Sequence, residues 1–301
     1  METLRTVLER AQSERAAIAH FNVSDFLLAK AVVSAARDTG KPIVIGVSEG
    51  ERDFIGVRQI AALVKAFRDE LETPIFLNAD HTHSLARAIE AVKAGFDSVV
   101  FDMSALAFEE NIRQTREAVT ALKAINPDFV VEGEIGDIGT GSAIRNLETA
   151  SAESLTTIEQ ARQFVQATGI DVLAPAVGNM HGMSPDMAKG TAKKRLNLER
   201  IAEIKTVTGA LLTLHGGSGT NDRDLQAAIS AGINLIHINT ELRVAWRQGL
   251  EKGLAEMPGE VVPYKVLPYA LNAIRNVAVS RISLFSELNR RDNAARAPRV
   301  S

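Results

Sequence analysis

Short apolar runs rich in β-branched residues alternate with longer stretches of helical periodicity along almost all of the 301 residues. That alternation is the pattern of βα units and a mainly parallel sheet. Eight strand segments read out: Ala16–Val23, Pro42–Ser48, Pro74–Asp80, Ser98–Met103, Phe129–Ile135, Val172–Val177, Leu211–His215 and Asn234–Asn239. Each precedes a helical pattern, as in Leu85–Ala94, where Leu85, Ile89 and Val92 share one face. Gly40, Gly95, Gly169, Gly209 and Gly232 stand just after helices one, three, five, six and seven, at the C-cap position. Eight units in about 250 residues fit a (β/α)8 barrel better than a doubly wound open sheet. NVSDF after the first strand also lacks the Gly-rich fingerprint of such a sheet. The expected architecture is therefore a single (β/α)8 TIM barrel domain over residues 1–301. Residues from about 260 to 301 form a C-terminal helical extension and a basic tail; Lys265–Leu288 is expected to pack on the barrel or on a second subunit.

Composition narrows the functional classes. A net charge of -3 gives no global basic field, which argues against nucleic acid or an anionic membrane as the main partner. The absence of cysteine excludes disulfides, iron–sulfur clusters and thiolate zinc sites and is compatible with a reducing cytoplasm. METLRTVLERAQSER has no apolar core of a signal peptide, and no apolar run approaches the roughly 20 residues that span a bilayer. RRDNAARAPRVS at the C-terminus reads as a solvated tail.

Any metal must then be held by histidine or oxygen, and all six histidines fall at the C-terminal ends of predicted strands, where barrels keep their chemistry. His20 lies near the end of strand one, His81 and His83 follow strand three, and His181 follows strand six. His215 ends strand seven and His237 lies in strand eight. Their convergence points to a metal site, and imidazoles with one position left open suit zinc. Asp80, Asp102, Glu132 and Glu134 sit on the same rim; Glu132 and Glu134 share one strand face, where paired carboxylates need a cation or a partner. After strand seven, HGGSG (His215–Gly219) supplies a glycine turn of the kind that binds phosphate, with Asn239 and Thr240 beside it. The long segment Gly136–Ser154 after strand five reads as a lid.

These residues resemble the class II, metal-dependent fructose-bisphosphate and tagatose-bisphosphate aldolases. The resemblance runs through HFNV, VSEG, NADHTHS, FDMSALAFEENI, VEGEIG, TGIDVLAPAVGNMHG, LHGGSG and TELRVAW. It implies that His81, His181 and His215 hold Zn2+ or another divalent metal, with Asp102 and Glu134 at a deeper alternative position. It makes Asp80 the acid/base at the substrate. It assigns Ser48, Gly182, Gly216 and Ser218 to the dihydroxyacetone phosphate half or a monovalent cation beside it and Asn22 to the substrate side, while Gly217, Asn239 and Thr240 join the phosphorylated sugar's site from the glycine turn and the end of strand eight. The implied activity is reversible cleavage of a ketose bisphosphate, fructose 1,6-bisphosphate first, to dihydroxyacetone phosphate and glyceraldehyde 3-phosphate through a metal-stabilised enediolate. A place in glycolysis, a cytoplasmic location and a homodimer or homotetramer follow from the same resemblance.

Two departures stand out. The family's Gly-Gly-x-Glu-Asp stretch is GTGSAIRN here, so its proton-abstracting glutamate has no direct counterpart, although Glu148 and Glu153 lie in the same segment. The strand-eight pattern Asn-x-Asp-Thr becomes His237, Ile238, Asn239, Thr240. His237 is therefore a candidate for part of the missing base's role, because imidazole titrates near neutrality. His20 and His83 read as supporting residues. The competing classes are a metal-dependent hydrolase on the same barrel, suggested by His81-Thr82-His83, and a non-catalytic metal and sugar-phosphate binder.

Overall fold

The computed structural model describes residues 2–136, 138–139, 143–144 and 155–286. Strands β1 (Ile18–Asn22), β2 (Ile43–Val47), β3 (Ile75–Thr82), β4 (Ser98–Phe101), β5 (Val130–Ile135), β6 (Val172–Pro175), β7 (Leu211–Leu214) and β8 (Ile233–Ile238) pair in chain order. β8 returns to β1, so the sheet closes as an all-parallel (β/α)8 barrel. Every predicted strand is present, with ends displaced by at most two residues. Glu148, Glu153 and the basic tail lie outside the described residues.

Alternation along each strand divides the barrel interior into layers. The lowest layer is apolar: Ile18, Val44, Phe76, Val130, Val172, Leu211 and Leu235 pack together with Leu4, Val7, Leu8 and Ala11. Those last four form one stripe of the helix Leu4–Ser13, capped by the Thr3 side chain, which closes the N-terminal end of the barrel. The charged N-terminal segment is thus a plug, and burying each of its larger apolar side chains contributes roughly 1.5–3 kcal/mol.

Two residues further along each strand the interior turns polar, with His20, Asn78, Glu132 and His237 all buried. β2 makes room for this layer with Gly46, where a Cβ would lie 2.0 Å from the His20 ring. The apolar plug below and the polar layer above give the barrel one end for stability and one for chemistry.

The C-terminal helix Pro268–Ser286 lies against the first and last barrel helices, Phe26–Thr39 and Thr240–Glu256. Its stripe of Ala270, Ile274, Ala278, Ile282 and Phe285 is buried there, so this extension covers the barrel's own seam. No helix among the described residues is long and apolar enough to cross a membrane.

Candidate active site

The site begins with an irregularity in β3. Between Ala79 and Thr82 the register against β4 slips by one residue, and His81 adopts a positive φ of 36°. A bulge of this kind re-aims side chains, and a non-glycine residue held there is a strained position that its surroundings must fix. Arg52 does this from inside the protein, where it is 1% exposed. Its guanidinium donates to the carbonyls of Val47 (2.7 Å) and Asp80 (3.3 Å) and to Thr82 Oγ1 (2.9 Å), bracing the bulge from the helix Glu49–Ile55 that follows β2.

The bulge turns His81 toward His181, from the loop after β6, and His215, just past β7. His81 Nε2 lies 3.2 Å from His181 Nε2 and 3.1 Å from His215 Nδ1. The opposite nitrogen of each ring has an acceptor. His81 Nδ1 meets Asp102 Oδ2 at 2.9 Å, His181 Nδ1 meets the Gly139 carbonyl at 2.7 Å, and His215 Nε2 meets Glu132 Oε1 at 2.6 Å. With the outer nitrogens protonated and donating, all three inner nitrogens present lone pairs to one point. Tetrahedral zinc with Zn–N bonds of 2.0–2.1 Å would place such nitrogens about 3.3 Å apart, so the residues fit a divalent metal.

Burial opposes charge on His81, but Asp80, Asp102 and Glu134 outweigh it and raise its pKa to about 10, so without a metal this ring carries a second proton at neutral pH, which a metal on Nε2 would displace. Glu134 is buried with Oε2 unpartnered, 3.8 Å from His81 Nδ1, and burial plus the Asp102 charge raises its pKa to about 8. Burial likewise pushes Glu132 well up, aided by Asp80 and Glu134. Such a concentration of buried carboxylates is what a bound cation offsets.

Asp80 occupies the neighbouring wall. Its Oδ2 accepts from Asn22 Nδ2 at 2.8 Å, and its Oδ1 is 3.4 Å from His237 Nδ1. Burial raises its pKa, but His81, His237 and His20 together overcome that and hold the carboxyl well below the usual range. Asn22 Nδ2 also reaches Glu51 Oε2 at 3.1 Å, and Glu51 Oε1 pairs with Arg243 at 2.8 Å. His237 is stacked between His20 (centroids 3.5 Å apart) and His215 (4.0 Å). Burial and the neighbouring His20 lower its pKa to about 3, so this imidazole is neutral.

A pocket of about 220 Å³ opens over these groups. Asn22, Ser48, Asp80, His81, Asp102, His181, Gly182, His215, Gly216, Ser218, His237, Asn239 and Thr240 all line it, as do His83 and Arg243. Two expected residues stand back from the wall. Glu134 lies behind the histidines, and the Gly217 N–H donates to the His237 carbonyl at 3.1 Å rather than into the cavity. Gly216, at φ 61°, is sterically required: a Cβ there would lie 2.1 Å from the Met180 carbonyl. Under this junction Lys194 Nζ meets four backbone carbonyls, those of Met180 (2.6 Å), Gly182 (2.6 Å), Gly216 (3.0 Å) and Ser218 (2.7 Å).

The family model for class-II fructose-bisphosphate aldolases matches residues 2–290. The chain belongs to that family. Among relatives of this aldolase, the fructose-bisphosphate aldolase of Ureaplasma parvum is 31% identical over 300 residues, covering 95% of this chain and 97% of the relative. The 6-phospho-5-dehydro-2-deoxy-D-gluconate aldolase of Shouchella clausii is 33% identical, covering 96% of each. The YdjI aldolase of Escherichia coli K12 superposes with a TM-score of 0.79 at 28% identity, covering 95% of this chain and 97% of that one.

The sequence reading of this aldolase did not single out Arg52, Arg243, Gly139 or Lys194. Arg243 sits in the quoted TELRVAW, three residues after Thr240, so its approach to the same rim was accessible from helix periodicity. Gly139 acts through its carbonyl, which no side-chain pattern reveals. Glu132, read with the other rim carboxylates as a candidate for proton transfer, instead pairs with His215 Nε2. Replacing it tests that pairing: Glu132→Ala is expected to weaken zinc binding about 10–100-fold while the fold persists. Competition titration against a chromophoric chelator measures this, and an unchanged affinity would contradict the assignment.

Proposed function

We propose that this aldolase reversibly cleaves fructose 1,6-bisphosphate to dihydroxyacetone phosphate and glyceraldehyde 3-phosphate, with His81, His181 and His215 holding a zinc ion. The observation that supports it most is the convergence of three imidazole lone pairs beside an ionised, buried Asp80. A divalent metal there supplies electrostatic stabilisation for the charge that develops on the ketone oxygen. Asp102 and Glu134, behind His81, offer a second, deeper position for the ion.

The protein's own groups do the rest. Asp80, ionised at neutral pH and fixed by Asn22, accepts the proton of the hydroxyl on the aldehyde half during cleavage and returns it during condensation. Gly182, Gly216, Ser218, Asn239 and Thr240 line one end of the pocket, with Gly217 shaping the turn, and this end takes the dihydroxyacetone phosphate group. Ser48 and Arg243 line the wall nearest Glu51, where the guanidinium suits the second phosphate. We place the reaction in the cytoplasm, in glycolysis or its reverse, and in a homodimer or homotetramer, as the family resemblance implies.

His237 takes part through Asp80. A neutral ring with a pKa of about 3 is a weak proton acceptor, whereas its Nδ1, 3.4 Å from Asp80 Oδ1, lies where it favours the ionised carboxylate. In a His237→Asn variant, cleavage is expected to fall while proton exchange on dihydroxyacetone phosphate persists. Loss of exchange would instead make His237 the base that removes the carbon-bound proton.

Cleavage followed by a coupled assay is expected to vanish with a chelator and return with zinc. Asp80→Asn should lower kcat by about 10²–10⁴-fold with metal content unchanged. Activity that survives chelation, or an Asp80→Asn variant near wild-type rate, would overturn this reading.

A further inference from the structure

A lysine 4% exposed, with four carbonyl oxygens around its ammonium, is an unusual use of a charge. An ammonium has three N–H donors, so four carbonyls at 2.6–3.0 Å exceed what discrete hydrogen bonds require. They form a cage of carbonyl dipoles, the donor set that replaces the hydration shell of a potassium ion in a selectivity filter. Two of the carbonyls, Met180 and Gly182, flank the ligand His181; the other two, Gly216 and Ser218, follow the ligand His215. The cage therefore spans the two loops that bring the metal ligands and the phosphate end of the pocket together.

Lys194 is placed for this by backbone pairing. Its N–H donates to the Gly219 carbonyl at 2.9 Å, and it forms an isolated parallel bridge with Thr220, which feeds the side chain under the glycine turn. Burial lowers the pKa of Lys194 to about 8, and Glu241 favours its charge while bonding elsewhere, to Arg281 and the Gly219 N–H. The group keeps its proton at neutral pH, with the carbonyls as its solvation.

We propose that the Lys194 ammonium is a tethered monovalent cation that joins the loops after β6 and β7, and that it relieves this aldolase of any need for potassium or sodium. The family resemblance places a free monovalent cation near Gly182, Gly216 and Ser218; in this chain a covalently attached charge fills the cage those residues form. Tethering removes the translational cost of capturing an ion and makes the phosphate end of the site independent of the salt present. The inference rests on the aldolase reading only for the ligand used to probe the site.

The test compares zinc-loaded wild type and Lys194→Ala in tetramethylammonium buffer, with potassium or ammonium added at constant ionic strength. Thermal midpoint and dihydroxyacetone phosphate affinity are both measured. Wild type is expected to change by less than about twofold in affinity on addition of potassium, with no shift in midpoint. Lys194→Ala should bind about tenfold or more weakly without potassium, melt lower, and recover both properties saturably with potassium or ammonium. Lys194→Met, which fills the space without charge, should lose affinity and not recover. A wild type that requires potassium, or a Lys194→Ala variant that is unaffected or fails to fold or recover with either cation, would overturn the proposal. If wild type bound no dihydroxyacetone phosphate, the functional reading would fail, while the melting data would still decide the role of Lys194.

Discussion

The structure depends on a set of hydrogen bonds directed away from the centre of the site. Asp102, the Gly139 carbonyl and Glu132 each accept from the far nitrogen of one histidine. Without those three acceptors the rings could rotate or change tautomer, and their inner nitrogens would not converge. Each acceptor comes from a different place: the end of β4, the segment after β5, and the interior of β5. The barrel is what brings these to one rim, because strand order and parallel register put their C-terminal ends side by side.

Charge distribution follows from the same geometry. Asp80, Asp102, Glu132 and Glu134 sit within a small volume of the barrel mouth, and burial works against ionising them. The protein compensates with positive or donating groups fixed by packing. Arg52 holds the β3 bulge, Asn22 and His237 face Asp80, and Lys194 ties the two loops that follow β6 and β7. Asp80 stays ionised while Glu134, a few ångströms deeper, is pushed toward neutrality, so two carboxylates of one site are separated by environment.

Much of this was legible in the chain. Short apolar runs and helix-terminating glycines located all eight strands, and the position of histidines at strand ends pointed to the candidate site. Residues acting through backbone or tertiary packing were not legible. Leu4, Val7, Leu8 and Ala11 form a helical stripe, but nothing local says that the stripe closes the barrel. The β3 bulge at His81 depends on Arg52 reaching across from the helix Glu49–Ile55 that follows β2, a contact with no sequence spacing of its own. Lys194, in KKRLN, looks like surface charge until the Thr220 pairing turns it inward. His237 is conspicuous in sequence as a departure, while its stack with His20 and His215 and its place beside Asp80 appear only in the folded chain.

The central claim is that three outward hydrogen bonds preset a three-imidazole metal site. Anomalous diffraction at the zinc edge, from crystals grown with zinc, addresses it most directly. The account predicts one peak about 2.0–2.1 Å from His81 Nε2, His181 Nε2 and His215 Nδ1 together. A peak bonded to the opposite ring nitrogens, or no peak among the three rings and their carboxylate neighbours, would contradict it.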